Sequence, residues 1–553
     1  MRSEKTDRTR RICRYVGERG LLSGVRIGGV AGLVALLMFG AGAMLGRAQN
    51  AGGSPQAGQR IRTGRINYQG VTTPPGLPDD RDALLIAEED YIKEGLPPGA
   101  EKYASVDGMA IKKTEEEIVA ISKKSRNDGN QFWGRIAGTA YDHLTSDYME
   151  DRFKKLGLQT RRIENDLPPQ WFPSSWDVQL IVGGKTVPLK SAFPIGNSIG
   201  TTNGLVEAEP VWVGLGTAAD FKGRDVKGKA VFIYSWPTDG GVYTSSAWTG
   251  ALQRSLDSGA ASVFVVQGFP GNMQSMLFGN HGGQATMGPL TAVPAMSVSH
   301  DEGNAVRQAI EDSTSPKVRM RLDVKIVSAL KTNIVLGTLP GQRDESIVVL
   351  AHHDAYFDGA LDNASGMATM LEIARYYAAI PTLQRRRTMI FIDSPTHHSP
   401  GVVGGVWMRL NMKDFFSKVV LIANCEHTSQ TQIYFVNDGL MTADTVSARR
   451  WYASGSDAFK KLVPDTFREF GVAVHKLPEA TPGGDLSQFY FTAPSFHIID
   501  NILNHTTTDT IDWTPASAMA TVTRAYLKIF DRANEMTAQE IAGDFHPTFP
   551  PPR

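Results

Sequence analysis

The chain has 553 residues, enough for two or three domains with substantial cores. Its 57 Lys and Arg residues balance 57 Asp and Glu residues, so no global charge favours nucleic acid or an anionic surface as a partner. With 41% hydrophobic residues and 55 glycines, the composition is typical of a globular, loop-rich α/β or mixed protein.

Residues 1–48 have the pattern of an export signal or a membrane anchor. Residues 2–26 carry eight Arg or Lys residues, and the next 19 residues, 27–45, are uncharged. A basic segment, an apolar segment and small residues at 41–43 predict a cleaved secretory signal. Because 19 uncharged residues also suffice to cross a bilayer, an uncleaved anchor is the alternative. Both interpretations predict an exported protein, periplasmic or extracellular, whose only membrane contact is this segment.

Residues 49–115 form a predicted linker and N-terminal extension, which begins rich in Gly, Pro, Gln and Arg. Helical spacing appears in DALLIAEEDYIKEGL, in EEEIVAISKKS and in YDHLTSDYMEDRFKKLGL. In the last of these, one predicted apolar side consists of Leu144, Met149, Phe153 and Leu156. Gly157 then follows at the C-terminal cap position. Since Cys13 lies in the leader and leaves Cys425 alone, no disulfide is expected in the mature chain.

Residues 201–315 have a different character from the segments around them. Short apolar runs, VEAEPVWVG, KAVFIYS, ASVFVVQG and AVPAMSVS, alternate with Gly-rich turns. This pattern predicts a small β-rich module.

Residues 316–545 alternate apolar runs with helical segments. The predicted strands are SIVVLAHH, RRTMIFIDS, KVVLIANCE and APSFHIID, with the helix MATMLEIARYYAAI between the first two. Continuous β-branched runs separated by helices predict an α/β fold with a mostly parallel, mixed sheet and helices on both faces.

Metal-binding residue types follow the end of each of these strands, where open α/β sheets bind their ligands. The candidates are His352, His353, Asp354, Asp358, Asp362, His397, His398, Glu426, His427, His505 and Asp509. Imidazoles and carboxylates in one cleft suit zinc, or less selectively manganese, cobalt or iron. A carboxylate that bridges two ions would let them activate one water, and Asp362 is placed for this role. Residues 363–365 are expected to cap the helix that begins near Met367 and so to hold that carboxylate.

The order of these motifs resembles the co-catalytic dizinc exopeptidase family. That family includes secreted bacterial aminopeptidases, glutamate carboxypeptidase, glutaminyl cyclases and the catalytically silent transferrin receptor. The resemblance implies the zinc exopeptidase fold over residues 116–200 and 316–545, with two zinc ions and a peptide or small amide as substrate. Residues 201–315 resemble the protease-associated domain that many members carry as an insertion.

Carried over position by position, the resemblance makes His352 and Asp362 metal ligands, with Asp362 bridging two ions. Glu426 stands where the family usually has a ligating Asp, and it lengthens the arm by one carbon. His505 closes the second metal site. Asp354 supports His352 or the catalytic base through its carboxylate.

Two departures from the family pattern concern the chemistry itself. The family places two adjacent glutamates before a Gly-rich turn, the first as general base and the second as metal ligand. His397 and His398 stand there instead, with one additional residue before the turn. Histidine can fill both roles, so His398 is expected to ligate the metal and His397 to act as the base. The second departure is Asn504, where many relatives have a Tyr that assists the substrate carbonyl.

Four further polar residues carry less specific patterns. For His353, packing and function are both open, while His427 and His497 are expected to be packed or solvated. Asp485 resembles a substrate-pocket position of the family, although a turn-capping role explains it equally well.

The sequence therefore predicts an exported zinc-dependent hydrolase of peptide or related amide bonds, most simply an aminopeptidase. One alternative is a catalytically silent binding protein with the same fold. The other is an amidohydrolase or cyclase that acts on a non-peptide amide.

Overall fold

This computed structural model describes residues 96–236, 248–277, 292–312, 314–399, 404–436, 439–499 and 502–549. All of them belong to one compact unit, Ala57–Arg553. The predicted leader and the helix predicted from DALLIAEEDYIKEGL lie outside these residues, apart from the last leucine of that helix. Within the described ranges, no helix has both the length and the apolar character that a bilayer crossing requires.

Strands and helices alternate along most of the described chain. The strands are β1 (Gly134–Arg135), β2 (Gln159–Asp166), β3 (Gln170–Val182), β4 (Lys185–Pro188), β5 (Phe193–Pro194), β6 (Val206–Ala208), β7 (Pro210–Trp212), β8 (Ala230–Ser235), β9 (Ser262–Gln267), β10 (Ala295–Val298), β11 (Lys317–Val327), β12 (Lys331–Leu339), β13 (Arg343–His352), β14 (Ala355–Tyr356), β15 (Arg387–Ser394), β16 (Val419–Cys425), β17 (Thr431–Val436), β18 (Gly439–Val446), β19 (Arg450–Ala453) and β20 (Ser495–Ile499). The α-helices are α1 (Gly108–Asn127), α2 (Ala140–Lys155), α3 (Ala218–Phe221), α4 (Trp248–Asp257), α5 (His300–Glu311), α6 (Gly366–Ala378), α7 (Gly404–Asn411), α8 (Lys413–Phe416), α9 (Asp457–Glu469), α10 (Ala516–Glu535) and α11 (Ala538–Ala542).

A seven-stranded mixed sheet forms the centre of the fold, in the order β19-β20-β16-β13-β15-β12-β2. The four strands β20, β16, β13 and β15 run parallel to one another. The remaining strands pair antiparallel: β19 at one edge, and β12 and β2 at the other. The predicted α/β class is confirmed, and all four strands predicted from the last third of the sequence lie in the parallel core.

Both faces of this sheet are buried, as continuous apolar strands require. On β13, Ile347 and Val349 join the core that includes residues of α1, α6, α9 and α10. Val348 and Leu350 face the other way and join a core that includes Met408 of α7. Because the residues at the carboxyl ends of the parallel strands are buried, the polar residues that follow them are held on a rigid support.

The predicted helices α1 and α2 are present. Asp107 begins α1 by accepting hydrogen bonds from the first free N–H groups. Met149 and Phe153 of α2 are buried, and Gly157 after its end takes a left-handed φ of 78°. The prediction was wrong for Leu144, whose side chain is on the exposed side of α2.

Residues 201–315 form an α/β arrangement, not the β-rich one expected. The sheet β5-β10-β9-β8-β7 is parallel except for β5; along the chain, α4 lies between β8 and β9, and α5 follows β10. The strands were predicted correctly, but the amphipathic periodicity of the two helices was overlooked. A four-stranded sheet, β4-β3-β11-β6, pairs strands that lie on either side of the predicted bounds. The domain bounds therefore remain predictions.

Candidate metal centre and active site

The inner strands bring the predicted ligands together. His352 is the last residue of β13, and β15 leads directly to His397 and His398. Glu426 follows the last residue of β16. His505 lies beyond β20 in a loop that contacts the segment after β9, where the Met276 N–H donates to the His505 carbonyl at 2.8 Å. Parallel strands place their carboxyl ends at the same sheet edge, which explains this convergence.

Asp362 lies at the centre of the group. Its Oδ1 is 3.2 Å from His352 Nε2. Its Oδ2 is 3.0 Å from His505 Nε2 and 3.4 Å from His398 Nε2. Both carboxylate oxygens therefore face imidazole nitrogens: Oδ1 faces His352, and Oδ2 faces His398 and His505.

The donor set fits a metal centre. Asp362, His398 and His505 form one trio whose potential ligand atoms lie within 4.8 Å of one another. Within the described part of the chain, His352 Nε2 and Asp362 Oδ1 are buried and have no hydrogen-bond partner, although they face each other. A cation between such atoms would satisfy both, and imidazole with carboxylate is a donor set typical of zinc.

The electrostatics of the centre also favour a cation. Burial lowers the pKa of His398, but the carboxylates of Asp362 and Asp354 outweigh it and raise that pKa to about 9. Burial and the neighbouring His398 lower the pKa of His505 to about 4, so its ring is neutral at pH 7. A neutral imidazole is the form that binds metal, so His398 must release a proton when a metal binds, whereas His505 need not. Burial opposes the charge of Asp362, yet the imidazoles hold its pKa well below the usual range.

Asp354 holds the two adjacent histidines through their backbone. Its Oδ1 accepts from the His397 N–H at 2.9 Å, and its Oδ2 accepts from the His398 N–H at 2.7 Å. The Nδ1 of His352 lies 3.1 Å from the Asp354 carbonyl oxygen, which orients that ring as well. The Asp354 carboxylate is 2% exposed, so these bonds are protected from water. These contacts are consistent with the supporting role predicted for Asp354, whose carboxylate holds the backbone of the loop after β15.

The expected helix cap does not hold Asp362 in place. Ser365 makes no side-chain cap on α6, and its hydroxyl donates to the Leu361 carbonyl instead. The backbone before α6 is held by Asp509, whose two oxygens accept from the N–H groups of Leu361 and Asp362 at 2.7 and 3.2 Å. Burial and the charge of Asp362 raise the pKa of Asp509 to about 8. The helix cap was predicted from local sequence, whereas Asp509 arrives from a distant loop.

Glu426 is accommodated by a glycine. Its Oε2 accepts from Asn424 Nδ2 at 2.6 Å and from the Asp485 N–H at 2.8 Å. A Cβ atom on Gly484 would lie 1.9 Å from the same oxygen. The absence of a side chain at this position gives the longer glutamate arm its space, and Oε1 remains 3.8 Å from His352 Nε2.

His397 lies at the edge of the centre, with 21% of its side chain exposed. Its ring stacks on the His352 ring, with centroids 4.4 Å apart. Its Nδ1 is 3.2 Å from Asp485 Oδ1, and its Nε2 is 3.9 Å from Glu426 Oε1. His352, His397 and His398 also form a trio within ligand distance of one another. The geometry thus permits His397 either to contact a water molecule or to bind a metal ion.

Other histidines near the strand ends have distinct surroundings. His353 lies between Asp142 and Asp393, at 2.6 and 2.8 Å. Despite burial, these carboxylates raise its pKa to about 10, which is the behaviour of a structural ion pair. His427 is 5% exposed, with its Nε2 3.5 Å from Asp362 Oδ1. It is closer to the centre than sequence reasoning expected.

Tyr356 is a further residue that the sequence analysis overlooked. Its ring packs against those of His398 and His505, with centroid distances of 5.5 Å in each case. It lies on the short strand β14, which pairs with β1 and follows the first cluster of candidate ligands. The buried Asn504 directly precedes His505. The signal for Tyr356 was its place within AHHDAYFDG.

Comparisons with known proteins agree with this geometry. Residues 333–394 match the model of Peptidase family M28. The chain is 24% identical over 457 residues to a probable glutamate carboxypeptidase, VP8 of Zea mays, covering 68% of this chain and 61% of that one. It is 26% identical to AMP1 of Arabidopsis thaliana, another probable glutamate carboxypeptidase, over 33% of this chain and 27% of the relative. The chain thus spans less than two thirds of the length of these relatives.

Two solved structures show the same fold. The zinc aminopeptidase BSAP of Bacillus subtilis superposes with a TM-score of 0.56 at 16% identity, covering 80% of this chain and 99% of its own. A peptidase M28 precursor from Shewanella amazonensis gives 0.61 at 17% identity, covering 86% and 100%. The predicted resemblance is confirmed: residues 333–394 match peptidase family M28, and the chain is similar in sequence to probable glutamate carboxypeptidases and in fold to a zinc aminopeptidase.

Proposed function

We propose that this protein is an exported zinc-dependent metallopeptidase that hydrolyses peptide or related amide bonds, most simply as an aminopeptidase. The observation that carries the proposal is the position of Asp362. Its two carboxylate oxygens face the imidazoles of His352, His398 and His505 at distances of 3.0 to 3.4 Å, at the strand ends of the sheet.

The residues divide into two overlapping ligand sets. His352, Asp362 and Glu426 would hold one ion, while Asp362, His398 and His505 would hold the other. Zinc bound there supplies Lewis acidity to the substrate carbonyl and lowers the pKa of a bound water. All five side chains are at most 5% exposed, so the donors are preorganised and shielded from bulk water.

His397 supplies the proton-accepting group in this proposal. Its side chain is 21% exposed, and its Nε2 lies 3.9 Å from Glu426 Oε1. A water attacking the substrate carbonyl must lose a proton, and an imidazole can accept it. Asp354 maintains the loop that presents His397.

The module of residues 201–315 is proposed to wall the substrate cleft, as a protease-associated domain would. Its segment after β9 contacts the loop that carries His505: Ser275 bridges to Thr506, and the Gln274 N–H donates to Thr507 Oγ1 at 3.1 Å. A concavity beside His398 is lined in part by Met276 of the same segment. Removal of the module should therefore alter substrate range.

A catalytically silent binding protein is the alternative that the His397–His398 pair favours, because the usual glutamate base is missing. Retention of the other proposed ligands argues against it, since a silent site has no need of them. An amidohydrolase or cyclase acting on another amide would keep the same metal centre.

Elemental analysis and a substrate panel test the proposal together. The purified protein should contain zinc, and the zinc-loaded protein should hydrolyse aminoacyl amides faster than N-acylated ones. A protein with no bound transition metal and no hydrolysis would support the silent alternative. Turnover of acylated amides alone would support the amidohydrolase.

A further inference from the structure

His397 is held on two sides by residues that are themselves immobile. The stacked His352 ring supports one face of the imidazole, at a centroid distance of 4.4 Å and an interplanar angle of 25°. Asp485 Oδ1 lies 3.2 Å from its Nδ1. The side chain of Asp485 is fully buried, so water does not compete for this contact.

Asp485 is in turn fixed by its own backbone and by a neighbour. It begins the 3-10 helix Asp485–Gln488, where Gln488 Nε2 donates to Asp485 Oδ1 at 3.1 Å. The Asp485 N–H donates to Glu426 Oε2 at 2.8 Å. Asp485 thus contacts two of the positions at which this chain departs from the family pattern: its backbone holds the longer Glu426, and its side chain contacts His397.

The chemistry of this contact sets the tautomer of the imidazole. A carboxylate only accepts hydrogen bonds, so the Nδ1 of His397 must carry the proton that it donates to Asp485. The Nε2 is then the unprotonated nitrogen, and it lies 3.9 Å from Glu426 Oε1. Carboxylates orient histidines in this way in metal sites and in catalytic triads.

We propose that Asp485 is the positioning residue of the active site, which holds His397 in the Nδ1–H tautomer and so directs its Nε2 into the cleft. The inference rests on the proposed function for its catalytic consequence, but the tautomer itself does not depend on turnover. It explains how a histidine can occupy a place that a glutamate normally holds, because the contact with Asp485 fixes which ring nitrogen is free to accept a proton.

The test combines spectroscopy with a mutant cycle. In the zinc-loaded protein with [¹⁵N]histidine, the His397 ring, assigned by its loss in His397→Gln, should show the Nδ1–H tautomer. Asp485→Asn should remove or shift that signal and lower kcat roughly 10- to 100-fold with little change in KM. In a His397→Ala background the same substitution should cost nothing further. Ser487→Ala, on the exposed side of the same 3-10 helix, should leave spectrum and kinetics unchanged.

Each outcome decides a separate point. An Nε2–H tautomer in the wild-type protein overturns the inference, even if the Asn variant does not fold. An equal loss of kcat in both backgrounds assigns Asp485 a general structural role and also overturns it. If the wild-type protein shows the Nδ1–H tautomer but hydrolyses no substrate, the positioning stands and the proposed peptidase function fails.

Discussion

The Asp362 side and the His397 side of the candidate metal centre are built differently. The side chain of Asp362 is 3% exposed. The carboxylate of Asp509 accepts hydrogen bonds from the backbone N–H groups of Asp362 and Leu361. His397 is 21% exposed, and a side-chain contact with Asp485 orients its ring. The first side is arranged to hold a charge in place, while the second leaves one edge of a titratable ring open to substrate. Metal retention should therefore depend on the first side and turnover on the second.

Asp362→Ala should have the largest effect on metal binding and activity, because it removes the one carboxylate that both proposed ligand sets share. Metal content should fall below one ion per chain and activity to the background rate. Elemental analysis and amide hydrolysis measure the two effects. Asp166→Ala, which removes a carboxylate that is 89% exposed, is the control and should change neither. Full metal content in Asp362→Ala would contradict the assignment of Asp362 as the bridge.

His398→Ala and His397→Ala test whether one histidine binds the metal and the other acts as the general base. His398→Ala removes a ligand beside Asp362, so metal occupancy should fall together with activity. His397→Ala should keep its metal while turnover slows on the order of 10²- to 10⁴-fold, the usual weight of general-base catalysis.

The same pair of variants can also exclude the assigned roles. Metal loss in His397→Ala would make this histidine a ligand, as the trio with His352 and His398 permits. If both variants keep full metal and full activity, the pair is structural.

Asp354→Ala should have an intermediate effect. The carboxylate holds the backbone of both histidines, so its loss should loosen the loop after β15 without removing a proposed ligand. We expect activity to fall roughly 10- to 100-fold, with metal affinity reduced less than in His398→Ala. Competition with a chelator and steady-state kinetics separate the two. A variant with unchanged kinetics would show that the loop holds its shape unaided.

Gly484→Ala should produce the smallest effect, and it tests whether the missing side chain at this position makes room for Glu426. The added Cβ would lie 1.9 Å from Glu426 Oε2, so the carboxylate must move and metal affinity should fall about tenfold. Gly183→Ala is a matched control, since Gly183 has the same φ of 56° with nothing within 4 Å of the added atom. Glu426→Asp in the Gly484→Ala background should restore affinity in part. Equal effects of the two glycine substitutions would point to backbone strain alone.

Much of the parallel sheet was predictable because its signals are local. Apolar runs of β-branched residues identified β13, β15, β16 and β20, and the residues just after them identified the candidate ligands. The helices of residues 201–315 were missed because short amphipathic segments between strands resemble the Gly-rich turns beside them. Leu144 was misplaced because several apolar residues on one helix do not all face the same neighbour.

The sequence alone determined the α/β class, the types of side chain at the carboxyl ends of the strands, and the departures from the family pattern at His397, His398, Glu426 and Asn504. Tertiary structure decided how those side chains are held. Asp509 reaches Asp362 from 147 positions away in the chain, and Asp485 reaches His397 from 88 positions away. Such contacts follow from the packing of distant loops over one sheet edge, and local spacing carries no information about them.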